Sequence, residues 1–334
     1  MSQTLTESAF ERLQTFLSKH QNDSPIEVLT PDASTREYFR INWVNQTAIA
    51  CVYAESFAEQ EHNFLDVTKL FLAGDLPVAK IYTVDGDSGV IVLEDFGDTI
   101  LRDVLNQSNE KEKLLDEAIA LIAKIQAATP KAFELNSIAS RLKFDNEKLV
   151  WELNFFKTHY FETLRKTKLS PQDDRALTSE FNELAQELSA QATVLCHRDF
   201  HAANLMLDRR NRLRIIDHQD ARLGTASYDL VSLLMDRVLE TPEKNRLERK
   251  LKFFLSEREK LGLGKIDFAD FERQFRLQTI QRCLKAIGTF SFQSINRGKI
   301  HFIKYIEPMF QIVLQAAEDL HRFPNLQRII AENI

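Results

Sequence analysis

The strongest constraint on the fold is a change in hydrophobic periodicity near residue 95. Before this point, short apolar runs are bounded by turn-forming residues, a pattern typical of strands. The segments predicted there are a capped helix beginning near Ser8, strands at 26–29, 38–43, 48–53, 80–84 and 89–93, and a helix at 58–72. The first part of the chain is therefore predicted to be a small sheet with a crossing helix.

After residue 95, apolar residues recur mainly at helical spacing. Helices are predicted at 113–127, 146–161, 174–188, 242–260, 268–290 and 299–320, around an island at 194–220 with strand-like pieces at 194–196, 205–207 and 213–216. The pattern predicts an α+β protein of two unequal lobes, residues 1–95 and 96–334. Polar chemistry at such a junction is typical of a ligand cleft.

Composition narrows the classes of function. The formal net charge is −6 and the sequence pI is about 5.8, which argues against a nucleic-acid partner. Cys51, Cys196 and Cys283 are too widely spaced for a disulfide framework or a CxxC metal site, so a reducing compartment is expected. No signal-peptide pattern and no apolar stretch of the ~20 residues needed to cross a bilayer is evident. We therefore expect a cytoplasmic protein with no membrane partner.

The island carries the chemistry-bearing motif. It reads His197-Arg198-Asp199 followed by Asn204, an H-R-D-x-x-x-x-N string, and Asp217 follows a second apolar run. Phosphoryl transfer needs a carboxylate that accepts the proton of an alcohol, and Asp199 fits that role. It also needs Mg²⁺, which prefers oxygen ligands such as those of Asn204 and Asp217. The motif predicts an ATP- and Mg²⁺-dependent phosphotransferase.

The island admits two other interpretations. In the first, Asp199 and Asp217 have only a structural role, because most loop aspartates are turn or helix-cap residues. Against it, each follows a strand-like run that would direct it toward a cleft. His197, His201 and His218 suggest a transition-metal site. The chain has no helical i,i+4 histidine pair with a glutamate base there, so zinc is disfavoured.

At the level of whole motifs, HRDFHAANLM, IIDHQDA and GTASYDLVSLLMD resemble the aminoglycoside-phosphotransferase and choline-kinase superfamily, which shares the protein-kinase fold. DASTREYFRI and VIVLEDFGD resemble, within it, the bacterial cell-wall-recycling kinases that phosphorylate N-acetylmuramate and N-acetylglucosamine at the anomeric hydroxyl. The resemblance with motifs spans residues 25–240.

The resemblance implies roles for individual positions. Asp199 would be the catalytic base, and Asn204 and Asp217 would hold Mg²⁺. Backbone groups of the hinge would bind the adenine, and a loop between the first two strands would cover the nucleotide. The hinge residues are Glu94, Asp95 and Phe96, and the loop residues are Ser34, Thr35 and Arg36.

Departures from the general kinase pattern are also visible. The nucleotide-covering loop lacks glycine, and Arg36 is a candidate to contact phosphate in place of backbone amides. The third strand, Ala48-Ile49-Ala50-Cys51-Val52, carries no lysine. The sugar kinases that this sequence resembles also lack this lysine. Which residue binds the phosphates in place of this lysine is therefore left undecided. A non-catalytic nucleotide-binding protein is the alternative interpretation from another class of function.

The acceptor is expected to be a small polar alcohol. An amino sugar is the first hypothesis, and choline, homoserine or an aminoglycoside are the alternatives. His201, Asp220 and Glu152 are candidates for substrate contact, each against a structural role. Asp229 is interpreted as a structural cap or partner of the catalytic loop.

Overall fold

The computed structural model describes residues 7–29, 36–105, 110–235 and 242–333. Their strands are β1 (Glu27–Leu29), β2 (Glu37–Trp43), β3 (Gln46–Val52), β4 (Ile81–Asp85), β5 (Val90–Glu94), β6 (Thr99–Ile100), β7 (Val194–Cys196), β8 (Leu205–Leu207), β9 (Leu213–Ile215) and β10 (Arg222–Gly224). Their α-helices are α1 (Ala9–Lys19), α2 (Asn63–Ala73), α3 (Leu101–Leu105), α4 (Lys111–Ala127), α5 (Thr129–Glu134), α6 (Ile138–Arg141), α7 (Asn146–Lys157), α8 (Pro171–Ala190), α9 (Tyr228–Leu234), α10 (Lys244–Lys260), α11 (Phe268–Asn296), α12 (Ile306–Leu320) and α13 (Pro324–Asn333). A small β-rich part followed by a mostly helical part confirms the predicted α+β class.

The chain forms two compact units. One contains the described residues of Met1–Gln107 together with Ala203–Asp220, and the other contains those of Ser108–Ala202 and Ala221–Ile334. The 203–220 segment groups with the first unit because β8 pairs with β6, and Ile215 of β9 forms a bridge to Val78. The predicted lobes are each continuous in sequence, whereas each compact unit consists of two segments of the chain. The predicted lobe boundary near residue 95 stays a prediction.

The first unit is built on an antiparallel sheet of order β1-β2-β3-β5-β4. Val90 and Val92 of β5 belong to a core cluster with Leu13 of α1, whereas Ile91 belongs to a cluster with Phe64 of α2. Both faces of β5 are therefore covered, which explains why its sequence is a continuous apolar run instead of an alternating one.

Helix α1 begins where its capping residues predict. Ser8 Oγ accepts the backbone N–H of Glu11 at 3.2 Å, and a Glu11 carboxylate oxygen accepts the backbone N–H of Ser8 at 2.9 Å. This capping box satisfies amide groups that the first helical turn leaves without partners, a contribution of about 1 kcal/mol.

The predicted helix at 299–320 is interrupted. Residues Ile300–Tyr305 form a 3₁₀ segment, and α12 begins only at Ile306. Pro308 lies in the first turn of α12, where its missing N–H costs nothing; deeper inside a longer helix it would remove a hydrogen bond. Likewise, 59–61 form a 3₁₀ turn, so α2 begins at Asn63 and not near residue 58.

The second unit packs around α11, which is 29 residues long. Gly288 of α11 allows close approach to α7, because an added Cβ would lie 2.7 Å from Phe156 Cα and 2.9 Å from its nitrogen. Helix α7 continues into a π-helical segment at Thr158–Leu164. The strands β7 and β10 pair antiparallel in this unit and lead into and out of the 194–220 island.

Candidate active site

The loop that carries Asp199 is fixed by a buried carboxylate. Asp229, in the first turn of α9, accepts the backbone N–H of His197 at 2.7 Å and that of Arg198 at 3.0 Å. Burial raises the pKa of Asp229 to about 7. Arg198 has a positive φ of 87°, which is uncommon for a residue other than glycine and turns the chain sharply just before Asp199. Asp229 is therefore a partner of the loop that carries Asp199, as the sequence analysis interpreted it.

Asp199 lies among cations. Its Oδ1 is 3.1 Å from Arg282 Nη2 and 3.7 Å from Lys285 Nζ, and its Oδ2 is 3.8 Å from Arg198 Nε. Burial favours the neutral acid, but the charges of Lys285, Arg282 and Arg198 outweigh it and hold the pKa of Asp199 well below its usual range. Asp199 is thus a carboxylate at any physiological pH.

The two α11 cations are not predicted by any motif in the sequence. Arg282 is 83 residues from Asp199, so no local pattern joins them. The signal in the sequence is weak: two basic residues three positions apart in the otherwise apolar stretch Arg282-Cys283-Leu284-Lys285-Ala286-Ile287. Burial, and then the neighbouring charge of Arg282, lower the pKa of Lys285 to about 8. A second anion beside Lys285 would therefore stabilise the charged form of its side chain.

A cavity of about 170 Å³ adjoins Asp199 in the second unit. Its polar lining includes Arg282, Lys285 and His201, and its apolar lining includes Val231 and Met309. His201 is a predicted substrate contact, and its backbone N–H donates to the Asp199 carbonyl at 3.0 Å. The cavity therefore combines the candidate base with polar groups and an apolar wall, a combination typical of small-molecule sites.

Asn204 and Asp217 are brought close together in the first unit. Asn204 directly precedes β8, and Asp217 lies two residues after the end of β9. β8 and β9 pair, and the Ile216 N–H donates to the Asn204 carbonyl at 3.1 Å. Asp217 has a positive φ of 61°. One amide and one carboxylate fit Mg²⁺, which characteristically takes one or two protein oxygens and completes its shell with phosphate and water.

Asp217 also holds a guanidinium. Its Oδ1 accepts from Arg36 Nη2 at 3.0 Å and from Gln219 Nε2 at 3.0 Å. The Arg36 guanidinium carbon lies 5.8 Å from the ring centroids of both Tyr38 and Tyr53. These aromatic contacts place a cation beside the candidate metal ligand, on the sheet whose third strand lacks the kinase lysine. Ser34 and Thr35, predicted with Arg36, lie outside the described residues.

His218 anchors the segment that follows Asp217. Its Nε2 is 2.7 Å from Thr68 Oγ1 on α2, and its ring is 5.0 Å from that of Phe64 and 5.2 Å from that of Phe71. The side chain is buried. His218 therefore has a packing role in the first unit.

The predicted hinge is braced by arginines. Glu94 accepts from Arg214 Nη2 at 2.9 Å, and Asp95 accepts from Arg40 Nε at 3.0 Å. The Arg214 guanidinium also lies 4.0 Å from the ring centroid of Phe96. The backbone N–H of Glu94 donates to the Lys80 carbonyl at 2.9 Å. The hinge is thus held by contacts from β2, β9 and the residue before β4 that local sequence does not reveal.

Glu152 and Asp220 lie apart from the cavity lining. Glu152 is only 1% exposed, and its Oε2 accepts from Gln281 Nε2 at 2.8 Å. Asp220 is half-buried and lies shortly before β10, at the end of the first unit's second segment. Their predicted substrate contacts stay predictions.

Other features bear on compartment and metals. The three cysteines are buried and form no disulfide. Across the described ranges, no helix is long and apolar enough to span a bilayer. The same ranges contain no group of three or more His, Cys, Asp or Glu side chains arranged to hold a metal.

Comparison with known families decides the classification. The profile of APH, the phosphotransferase enzyme family, matches residues 25–262. The chain belongs to the phosphotransferase enzyme family. This phosphotransferase has relatives that are named N-acetylmuramate/N-acetylglucosamine kinase. That of Neisseria meningitidis serogroup B is 30% identical over 283 residues, covering 84% of this chain and 81% of the relative. That of Pseudomonas putida is 27% identical over 304 residues, covering 90% and 86%.

Solved structures show the fold of this phosphotransferase. Choline kinase LicA from Streptococcus pneumoniae superposes with a TM-score of 0.61 at 13% identity, covering 92% of this chain and 100% of that one. The ADP-bound aminoglycoside phosphotransferase APH(2'')-Ib gives a TM-score of 0.56 at 15% identity, covering 92% and 98%. These structures confirm the predicted protein-kinase-like fold. The family match over residues 25–262 confirms the predicted superfamily.

Proposed function

We propose that this phosphotransferase uses ATP and Mg²⁺ to phosphorylate the anomeric hydroxyl of N-acetylmuramate or N-acetylglucosamine. The observation that carries the proposal is an ionised Asp199 facing a cavity of about 170 Å³, in a chain whose relatives are named N-acetylmuramate/N-acetylglucosamine kinase. ATP is an intracellular phosphoryl donor, so the proposal places the reaction in the cytoplasm.

Asp199 acts as the base in this proposal. The acceptor oxygen bonds to the γ-phosphorus as the bond from that phosphorus to the bridging oxygen breaks, and ADP leaves. The hydroxyl proton passes to Asp199 and then to water. A strongly acidic carboxylate suits a transition state in which the proton moves late, because positioning and electrostatics contribute most of the catalysis.

Asn204 and Asp217 are the proposed metal ligands, supported by their placement at adjacent ends of β8 and β9. Bound Mg²⁺ would neutralise charge on the phosphate oxygens. A neutral amide paired with one carboxylate leaves the ion with net positive charge for that purpose. The bond from Arg36 to Asp217 orients the metal-binding carboxylate before the nucleotide enters.

Arg36 is also the proposed phosphate clamp. A guanidinium is planar and always charged, and it suits phosphate oxygens. Its position beside Asp217 supports a substitute for the lysine that β3 lacks. The missing lysine was the main argument for a non-catalytic protein. In this proposal Arg36 would supply the positive charge of that lysine, which weakens the argument.

The hinge is proposed to bind adenine through its backbone. Because the Glu94 amide already donates to Lys80, the contact is expected from the backbone of Asp95 and Phe96. The arginine bonds to Glu94 and Asp95 would keep that backbone in place. In this proposal residues 1–95 cover the nucleotide and residues 96–334 bind the acceptor.

The experiment is a panel assay with ATP and N-acetylmuramate, N-acetylglucosamine, choline, homoserine and an aminoglycoside, scored by acceptor-dependent ADP release and by the phosphorylated product. Turnover of an amino sugar to its 1-phosphate is expected. Turnover of another alcohol alone would remove the amino-sugar assignment, and turnover of none would favour a nucleotide-binding protein without this activity.

Asp199→Asn tests the base. The amide cannot accept the proton, so kcat should fall by about 10²- to 10⁴-fold while Mg-nucleotide binding persists. Asp174→Asn is the matched control, because Asp174 is half-exposed and pairs with Lys157 on the surface. Wild-type turnover in Asp199→Asn would show that another group is the base.

A further inference from the structure

We infer that Arg282 and Lys285 of α11 recognise a carboxylate carried by the acceptor, so that the enzyme prefers an acidic acceptor over a neutral or cationic one. The inference rests on the proposed function, which it deepens. It assigns the selection of the acceptor to Arg282 and Lys285, which are distant in sequence from the catalytic loop and share no motif with it.

The charge balance of the cavity is the first argument. Two cations lie within 4 Å of the single carboxylate Asp199, with Arg282 Nη2 at 3.1 Å and Lys285 Nζ at 3.7 Å from the same oxygen. Arg198 adds a third positive charge at 3.8 Å from the other oxygen. Glu152 also acts on Lys285, and Asp229 acts on Arg282, but neither carboxylate lines the cavity. Among the lining residues, Arg282 and Lys285 carry two positive charges against the one negative charge of Asp199. In a partly buried site an incoming anion is stabilised by such cations more than in water.

This charge excess also bears on the alternative acceptors. Choline and aminoglycosides carry positive charge, and placing them against Arg282 and Lys285 would be repulsive. N-acetylglucosamine is neutral and gains nothing from the cations. N-acetylmuramate differs from it by a lactyl carboxylate, the group that an Arg–Lys pair is suited to bind.

Lys285 is the cation better placed to meet a new partner. Arg282 is held at two points, since its Nε donates to Ser232 Oγ at 2.9 Å and its Nη2 to Asp199. Lys285 lies on the same face of α11, three residues on, and contacts Asp199 at the longer distance. Its lowered pKa of about 8 agrees with a buried ammonium that its surroundings do not fully compensate.

The placement of these residues along the chain is the second argument. The family profile ends at residue 262, whereas α11 begins at Phe268. The cavity therefore takes Asp199 and His201 from the matched region and Arg282, Lys285 and Thr289 from outside it. Such a division suits a shared reaction whose acceptor is selected by an additional element.

A competing role for the cations is neutralisation of the transferred phosphoryl group. That role would affect every acceptor equally and would appear in kcat. Carboxylate recognition would affect only acidic acceptors and would appear mainly in KM. The two roles are therefore separable with a pair of acceptors that differ only in charge.

The test compares N-acetylmuramate with its uncharged lactyl methyl ester in wild type, Lys285→Met, Lys285→Arg and the control Arg297→Met. Arg297 is exposed beyond the last residue of α11, so its replacement removes the same charge outside the cavity. Wild type and the control should prefer the acid in kcat/KM. In Lys285→Met the acid-to-ester ratio should fall about 10- to 100-fold, mainly through KM, and Lys285→Arg should retain most of it.

An unchanged ratio in Lys285→Met, with both compounds still phosphorylated, would overturn the inference and leave the proposed function intact. An equal loss of kcat for both compounds would assign Lys285 to the phosphoryl group and also overturn it. Calorimetric titration of the acid and the ester decides the matter if wild type turns over neither. Tighter binding of the acid that is lost in Lys285→Met supports the inference, and equal or absent binding contradicts it.

Discussion

At the residue scale, Asp199 illustrates how surroundings set the chemistry of a motif. An isolated aspartate is already ionised at neutral pH, so the cations around Asp199 do more than ensure its charge. They fix the direction of the carboxylate and lower its proton affinity. The consequence is an ionised and oriented carboxylate, as the proposed base requires, in a cavity whose lining carries more positive than negative charge.

The pH dependence of acceptor preference follows from Lys285. Its pKa is lowered to about 8, so its positive charge is nearly complete at pH values well below 8 and is lost as the pH rises through 8. The charged groups that act on it are Arg282, Asp199, Glu152 and Arg198. We expect kcat/KM for N-acetylmuramate to fall above pH 8 toward the value for its methyl ester.

The ester supplies the control, because its own profile should lack this decline. Steady-state kinetics from about pH 6 to about pH 9.5, on either side of the Lys285 pKa, measure both compounds on the same enzyme. A parallel decline for acid and ester would contradict a role for Lys285 in binding the carboxylate.

At the element scale, α11 connects stability with the site. The helix supplies Arg282 and Lys285 to the cavity, and one turn further on Gly288 packs against the backbone of α7. A displacement of α11 at Gly288 would therefore reach the cations three and six residues away. The packing of Gly288 against α7 therefore helps to position the residues that line the cavity.

Gly288→Ala should destabilise the protein by about 1–3 kcal/mol. The added Cβ would meet Phe156 Cα at 2.7 Å, and backbone on both sides leaves little room to relax. Urea unfolding measures the change in free energy. Gly264→Ala is the control, because a Cβ there has no neighbour within 4 Å and should change stability little. Equal stability of the two variants would show that α7 and α11 are not closely packed at this point.

At the scale of the whole molecule, the catalytic motif belongs to both compact units. Asp199 and His201 lie in the second unit, whereas Asn204, five residues after Asp199, and Asp217 lie in the first. The proposed base is therefore held by one unit and the proposed metal ligands by the other. If Asn204 and Asp217 bind Mg²⁺ as proposed, nucleotide and metal together should stabilise the folded protein even without an acceptor.

A non-hydrolysable ATP analogue with Mg²⁺ should raise the melting temperature by roughly 5 °C at about a hundredfold excess over its Kd. Asp217→Asn should abolish the part of this shift that depends on Mg²⁺, because one of the two proposed ligands loses its charge. Thermal unfolding with and without EDTA measures it, and Asp174→Asn should behave as wild type. A wild-type shift insensitive to EDTA would contradict the metal assignment.

The sequence by itself determined the features encoded by short-range order. The change from strand to helical periodicity predicts the α+β class, and the order of Asp199, Asn204 and Asp217 along the chain is enough to predict a phosphotransferase. Capping and turn residues such as Ser8 act on residues near them in the chain, so their effects can also be predicted from the sequence. The limits of local patterns appear at α12 and α2, where short 3₁₀ segments displace the predicted boundaries.

Only the tertiary structure decided which distant residues surround those motifs. Arg282 reaches Asp199 across 83 residues, and Asp229 fixes the loop from α9, by contacts that depend on how helices pack. The pKa of a carboxylate depends on burial and on nearby charges, and neither is a property of adjacent residues in the chain. Chain order therefore specified the candidate reacting groups, whereas packing specified their electrostatic surroundings.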